Sequence, residues 1–190
     1  AAGMMAAITA AQSGASVTLI EKNEKTGKKI FITGKGRCNV TNGCEHDEFF
    51  DNIVTNSKFL YSAYAAFDNR SMMELLKEAG CPLKEERGKR IFPQSDHSSD
   101  VIAALNRLLK KERVKVLFHT AVRELLLEEL PEEAQREASK DSAKQKVSGV
   151  LLVDGTTIKA DAVIVATGGQ SYEATGSTGD GYRLAMQDIP

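Results

Sequence analysis

Long apolar runs are missing from this sequence. No stretch approaches the roughly 20 consecutive residues that a membrane helix needs, so a spanning segment and a membrane partner are not expected. Charge of one sign is missing as well. Twenty-five Lys and Arg against 26 Asp and Glu leave a formal net charge of -1. That balance argues against the basic face that broad nucleic-acid binding requires, and no nucleic-acid partner is expected. Cysteine is scarce and odd in number, at three, which does not suit a secreted disulfide scaffold. With no signal-peptide pattern either, cytoplasm is the expected compartment. Tryptophan is absent, yet 42% hydrophobic and 27% charged residues are an ordinary globular mixture. The chain has no G-x-S-x-G, P-loop or H-E-x-x-H string, so hydrolase and kinase readings find no support. Its 190 residues suffice for one sizeable core with a small appended piece.

What is present begins with an Ala-rich stretch, Ala1 to Ser13, whose Met4, Ile8 and Ala11 fall on one helical face. Gly14 ends it as a C-cap. Val17 to Ile20 is a β-branched apolar run that stops at Glu21. An acid at the end of such a strand accepts hydrogen bonds from a ribose hydroxyl in dinucleotide sites, and Gly3 would be the last glycine of G-x-G-x-x-G. The helix N-terminus would then face pyrophosphate. An ordinary amphipathic helix followed by a strand explains residues 1–22 equally well. Near the other end, Asp161 to Gly169 reads as a buried strand running into a Gly turn. The two segments together predict an α/β, Rossmann-like FAD-binding domain: a parallel sheet with helices, plus a β-meander.

Lys22 to Arg37 is basic and punctuated by glycine. Six cations (Lys22, Lys25, Lys28, Lys29, Lys35 and Arg37) face Glu21 and Glu24. A solvated loop explains this, and so does a neighbouring pyrophosphate. Two helices are predicted over 57–67 and 69–79, the second closed by Gly80. A hairpin is predicted over Leu83 to Phe92, turning at Arg87-Gly88-Lys89 and ended by Pro93. A third helix follows, capped by Ser98, Ser99 or Asp100, with Val101, Ile102, Leu105, Leu108 and Leu109 apolar. Val114 to His119 is expected as a further parallel strand. Val122 to Leu127 and Val147 to Val153 are strand-like, with a charged stretch between them that reads as a flexible hairpin loop over 130–146. Asp154-Gly155 is a tight-turn signal leading to Ile158.

The string Gly34-Lys35-Gly36-Arg37-Cys38-Asn39-Val40-Thr41-Asn42 resembles the BaiN-like (YhiN-like) family of NAD(P)/FAD-dependent oxidoreductases, flavoproteins with a glutathione-reductase-type FAD domain. Supporting strings are Arg90-Ile91-Phe92-Pro93, Ser95-Asp96, Ala166-Thr167-Gly168-Gly169 and Thr178-Gly179-Asp180-Gly181-Tyr182. The resemblance implies FAD bound in an extended conformation, with NAD(P)H as electron donor and a small-molecule substrate. Glu21 would hold the adenosine ribose, beside Lys22 and Gly3. Gly27, Lys28 and Lys29 would lie along the cofactor. Gly34 and Gly36 through Arg37, Cys38, Asn39, Thr41 and Asn42 would approach the flavin or its diphosphate. Val122 would lie near the adenine, and Ala166, Thr167, Gly168 and Gly169 beneath the pyrophosphate. Arg37 is the expected electrostatic partner, with Arg90 a weaker candidate, and no residue is assigned as acid or base. The fingerprint's first two glycines and a preceding strand are absent, as is the ribityl-contacting segment expected beyond Pro190. Residues 1–190 are therefore read as a partial FAD-binding domain.

Three alternatives accompany this reading. Cys38 and Cys44 form C-x5-C, close to the C-x4-C redox pair of flavin disulfide reductases. Cys38, Cys44 and His46 lack the spacing and fourth ligand of a zinc site, so no metal is expected; His97 and His119 read as structural or solvated. A non-catalytic, degenerate nucleotide-binding module is the third.

Overall fold

The computed structural model describes residues 1–130 and 145–186. The chain divides into two compact units. One is continuous, Gly27–Arg113; the other joins Ala2–Thr26 to Val114–Pro190.

In the discontinuous unit, helix α1 (Ala2–Gln12) buries Met4, Ala7 and Ile8, the three-and-four spacing of one helical face. It ends in a Schellman turn. The Ala15 N–H donates to the Ala10 carbonyl at 3.1 Å, and the Gly14 N–H to Ala11 at 2.9 Å. Gly14 takes the required left-handed conformation, φ 91°, which a Cβ would penalise. Strand β1 (Thr18–Ile20) pairs in parallel with β5 (Lys115–Leu117), Leu19 opposite Val116. A parallel pair needs a long crossover, and here the whole continuous unit supplies it. An antiparallel meander follows: β6 (Val122–Glu129), β7 (Gln145–Leu152) and β8 (Thr157–Lys159). Asp154 and Gly155 turn β7 into β8, with the Thr156 N–H donating to Asp154 Oδ1 at 2.9 Å. Val150 and Leu152, and Leu184 from α7 (Asp180–Ala185), are buried. Of the hairpin loop expected over 130–146, residues 131–144 lie outside the described residues. Gln145 and Lys146 already belong to β7, opposite Glu129 and Glu128.

The expected buried strand over Asp161–Ala166 is a correction. No strand is assigned there, and Ile164 and Val165 are exposed. An extended segment becomes a strand only when a neighbour takes up its backbone hydrogen bonds, and among the described residues none does.

The continuous unit opens with α2 (Lys28–Ile32) and a 3-10 turn at Thr33–Gly36. It continues through β2 (Thr41–Asn42), α3 (His46–Asp51), α4 (Tyr61–Ala66), α5 (Asn69–Glu78), β3 (Leu83–Glu86), β4 (Arg90–Pro93) and α6 (Ser98–Lys111). The sheet order is β2-β4-β3, all antiparallel. The core joins Val101, Ala104, Leu105 and Leu109 of α6 to Leu76 of α5 and to Ile91 and Phe92 of β4. Each of these side chains larger than alanine contributes about 1.5–3 kcal/mol on burial.

Sequence reasoning placed α5, the β3–β4 hairpin and α6 correctly but missed α2, α3 and β2. The helix expected over 57–67 is a 3-10 turn (Ser57–Leu60) running into α4. The cap of α6 is His97 rather than Ser98, Ser99 or Asp100. Ser98 is instead buried as the first helical residue, its hydroxyl donating to the Phe31 carbonyl at 2.9 Å.

Candidate functional site

The residues singled out for cofactor binding divide between the two units. Gly3, Glu21, Lys22, Val122 and Ala166–Gly169 are in the discontinuous one. A Cβ on Gly3 would stand 3.4 Å from Ala166 Cβ and 3.6 Å from Leu19 Cδ1. The glycine therefore lets α1 lie directly on β1 and the Ala166 segment. Glu21 follows β1, its N–H donating to the Leu117 carbonyl at 2.8 Å. Its Oε1 accepts from the Asn23 N–H at 2.9 Å and from Asn23 Nδ2 at 2.7 Å. One carboxylate oxygen is thus anchored, which fixes the direction of the other.

Lys22 is already engaged. Its Nζ donates to Asp180 Oδ2 at 2.7 Å and to Thr178 Oγ1 at 2.6 Å. The Lys22 hydrogen bond holds the Asp180 carboxyl below the usual carboxylate range. The Val122 carbonyl accepts from Arg183 Nη2 at 3.1 Å, and Arg123's carbonyl from Nη1. Helix α7 leans on the Ala166–Gly169 segment. A Cβ on Gly181 would stand 2.8 Å from Thr167 Oγ1, and the Gly179 N–H donates to the Gly169 carbonyl at 3.1 Å. Gly168, at φ 76°, turns against Ser177, which is buried. Sequence reasoning gave Asp180, Gly181 and Arg183 no role, although the Thr178–Tyr182 string was noticed; the signal was the glycines on either side of Asp180.

The chemistry of this set suits a dinucleotide. It offers a carboxylate acceptor at the end of a parallel strand and a Gly-Gly turn. The first turn of α1 carries no acidic side chain to compete with an anion.

The continuous unit holds Gly27, Lys28, Lys29 and Gly34–Asn42. Gly27 is the left-handed N-cap of α2, φ 75°, and a Cβ there would lie 2.9 Å from Ile102 Cγ1. Packing of α2 against α6 thus requires this glycine. Lys28 and Lys29 begin α2. Gly34, Lys35 and Gly36 are consecutive left-handed residues, at φ 56°, 57° and 85°. Arg37 is bound at both ends of its guanidinium: Nε donates to Asp96 Oδ1 at 2.8 Å, and Nη2 reaches Glu86 and Asp96. Its Cζ lies over the Phe92 ring, 4.2 Å from the ring centroid. Lys84 joins the network at 2.6 Å from Asp96 Oδ2. Arg37 holds the Glu86 carboxyl low, and Lys84 with Arg37 does the same for Asp96.

The remaining side chains of the motif serve the backbone. With its amide turned so that Nδ2 faces them, Asn39 donates to the carbonyls of Thr41 at 3.0 Å and Ile91 at 3.3 Å. Thr41 and Asn42 form β2, opposite Ile91 and Arg90. Asn42 Nδ2 donates to the Gly88 carbonyl, and its Oδ1 accepts from the Cys44 N–H, both at 2.9 Å. Arg90 Nε donates to the Arg87 carbonyl at 3.0 Å.

Cys38, Cys44 and Cys81 are free and buried. Burial pushes the Cys38 thiol up, which the Thr33 hydroxyl offsets in part. A redox pair works through its thiolate, so this environment disfavours the Cys38/Cys44 disulfide-reductase alternative. Among the described residues no group of three or more His, Cys, Asp or Glu is arranged to hold a metal. His119 is left-handed, its N–H donating to the Asn23 carbonyl at 3.0 Å. Among the described residues no helix is long and apolar enough to cross a membrane.

The family described as HI0933-like protein Rossmann domain matches residues 1–188. A 3-dehydro-bile acid delta(4,6)-reductase of Clostridium scindens is 36% identical over 97% of this chain and 41% of its own length. A ribosomal RNA dihydrouridine synthase of Haemophilus influenzae is 30% identical over 98% of this chain and 43% of its own. The protein of the same name from Escherichia coli is 27% identical. The chain spans about two fifths of the length of these curated relatives. Among solved structures, Thermovibrio ammonificans THI4 superposes with a TM-score of 0.58 at 15% identity. The superposition covers 87% of this chain and 53% of that one; at that identity the likeness speaks to fold alone.

Proposed function

The chain belongs to the HI0933-like Rossmann domain family, and from that premise we propose that it is the dinucleotide-holding part of a cytoplasmic, FAD-dependent oxidoreductase. The donor is a reduced nicotinamide dinucleotide. The acceptor is an organic molecule whose carbon–carbon double bond is conjugated to a carbonyl. Read chemically, the names of both kinds of relative describe hydrogenation of such a bond: a dienone in one, the uracil ring of RNA in the other.

The observation that carries the cofactor assignment is Glu21. Its carboxylate closes a parallel strand with one oxygen anchored by Asn23, beside a helix that Gly3 lets approach Ala166. Bound there, FAD would supply two-electron redox chemistry between the reduced nicotinamide and the acceptor. The residues of this chain bind and orient. Glu21 would accept from the ribose hydroxyl. The N–H groups of the first turn of α1 and the Gly168-Gly169 turn would meet diphosphate oxygens. Lys22 fastens α7 through Asp180 instead of touching the ligand.

A small-molecule acceptor is favoured by the higher identity to the bile acid reductase and by the near-neutral charge. The two dihydrouridine synthase relatives favour a second reading, uridine in RNA. The deciding experiment is the visible spectrum of the full-length protein purified without added cofactor. A flavin spectrum bleached by NADH or NADPH, then restored by a steroid dienone but not by unmodified ribosomal RNA, supports the first reading. Restoration by RNA supports the second. A colourless protein that takes up no FAD refutes both and favours a degenerate nucleotide-binding module.

A further inference from the structure

Asn23 stands three residues past β1, and both its main chain and its side chain are engaged. Its carbonyl accepts from the His119 N–H at 3.0 Å, as the Glu21 carbonyl does from the Thr120 N–H at 3.1 Å. The chain leaving β5 thus fixes the backbone of both residues. The Asn23 N–H and Nδ2 converge on Glu21 Oε1, at 2.9 and 2.7 Å. The same Nδ2 reaches the Thr175 carbonyl at 3.3 Å. Both of these neighbours are acceptors, so only the donor end of the amide can face them. Thr175 closes a 3-10 turn, Glu173–Thr175, that is followed by Gly176 at φ 99°. A Cβ on Gly176 would stand 2.7 Å from Asn23 Nδ2 and 3.2 Å from Lys22 Cε. The glycine is what lets this turn lie against Asn23. All of these residues belong to the discontinuous unit.

Two hydrogen bonds to Oε1 leave Oε2 of Glu21 as the acceptor, and among the described residues no donor occupies it. The terminal torsion of a glutamate is broad, so one bond from the Asn23 N–H would hold Oε1 yet let the carboxylate turn. The side-chain amide adds the second point that stops it. We infer that Asn23 is a positioning residue of the dinucleotide site: it aims Glu21 Oε2 at the ribose hydroxyls and ties that aim to the Glu173–Gly176 turn. Asn23 acts through the carboxylate. This rests on the reading of Glu21 as ribose acceptor given above. Selectivity for a hydroxylated ribose therefore depends on Asn23 and Gly176 as well as on Glu21.

The test uses the full-length protein freed of bound nucleotide. It is titrated calorimetrically with ADP and with 2′,3′-dideoxy-ADP, which lacks both ribose hydroxyls. The readout is the ratio of the two dissociation constants. A variant that is partly unfolded loses the same factor for both ligands, so the ratio does not report stability. Wild type is expected to favour ADP about tenfold, the worth of a hydrogen bond to a charged acceptor. Glu21→Ala brings the ratio to one. Asn23→Ala, which keeps the backbone N–H but loses the amide, lowers it to roughly threefold or less. Gly176→Ala displaces Nδ2 and lowers it likewise, with no further drop on the Asn23→Ala background. Asn23→Ala that weakens both ligands equally and keeps the wild-type ratio overturns the positioning role while leaving Glu21 as the ribose acceptor. Gly176→Ala with an unchanged ratio overturns the tie to the turn. Wild type that binds the two ligands equally, or neither, refutes the ribose reading of Glu21 itself, and the role of Asn23 falls with it.

Discussion

Gly27 has a packing explanation and a cofactor explanation, and one substitution separates them. In Gly27→Ala the new Cβ meets Ile102 Cγ1 at 2.9 Å and both its Cδ1 and Cγ2 at 3.2 Å. The backbone is held at φ 75°, where alanine costs about 1–2 kcal/mol relative to glycine. Ile102 is half-buried on α6, so it yields only by leaving its rotamer, about 0.5–1.5 kcal/mol more. The sum is about 1.5–3.5 kcal/mol, or a melting point lower by roughly 3–14 °C for a chain of this size. The rotamer share is recoverable. Placed on an Ile102→Ala background, which removes all three crowding atoms, Gly27→Ala should cost about 1 kcal/mol less than it does alone. Melts of the four proteins of this cycle give the coupling, and flavin content is read from the same samples. Strict additivity would refute the crowding argument. A loss of flavin without a loss of stability would return Gly27 to the cofactor.

Three further outcomes are expected. Asp180 has a carboxyl held low by Lys22, so the pair contributes stability that is present above about pH 4 and lost as pH falls through the depressed folded value; Asp180→Asn should flatten the acid limb of a stability–pH profile, and an unchanged limb would count against the clamp. Gly149→Ala places a Cβ on the Ile158 carbonyl oxygen, at φ 154°, and should cost roughly 3 kcal/mol or more by parting β7 from β8, seen as lost amide-exchange protection in Val150 and Leu151. Glu21→Ala and Gly36→Val in the full-length protein should each lower the flavin retained through purification, the first by removing the ribose acceptor and the second by straining the left-handed run; retention at the wild-type level in both would sink the FAD assignment.

What could be read beforehand was whatever short-range rules govern. The Schellman end at Gly14, the helix closed by Gly80 and the Asp154-Gly155 turn all follow from residues a few positions apart. The pairing of β1 with β5 followed from a helix–strand order. What escaped depended on distant partners. Asp161–Ala166 has the composition of a strand, but strand formation belongs to the neighbour as much as to the segment. Arg37 looked like a phosphate ligand because a cation beside glycines often is one. Its commitment to Glu86 and Asp96, 49 and 59 positions away, has no local signature. The same holds for Lys22 and Asp180. The glycines were legible as necessary, but Gly27, Gly168 and Gly181 turn out to admit protein neighbours.

The Lys22–Asp180 clamp also governs the order in which the molecule can assemble. Its partners stand 158 positions apart, and closing an open loop of that length costs about 4–5 kcal/mol in chain entropy before any contact is gained. The continuous unit, by contrast, is complete once Arg113 has emerged from the ribosome. Until β5 and then α7 are synthesised, the apolar face of α1 has none of the partners that the C-terminal segment supplies. Folding of these residues is therefore expected to be sequential, with the continuous unit before the nucleotide-holding one. A nascent chain stalled short of Asp180 would expose Met4 and Ile8 to chaperones, and ligand binding would report that α7 had been made.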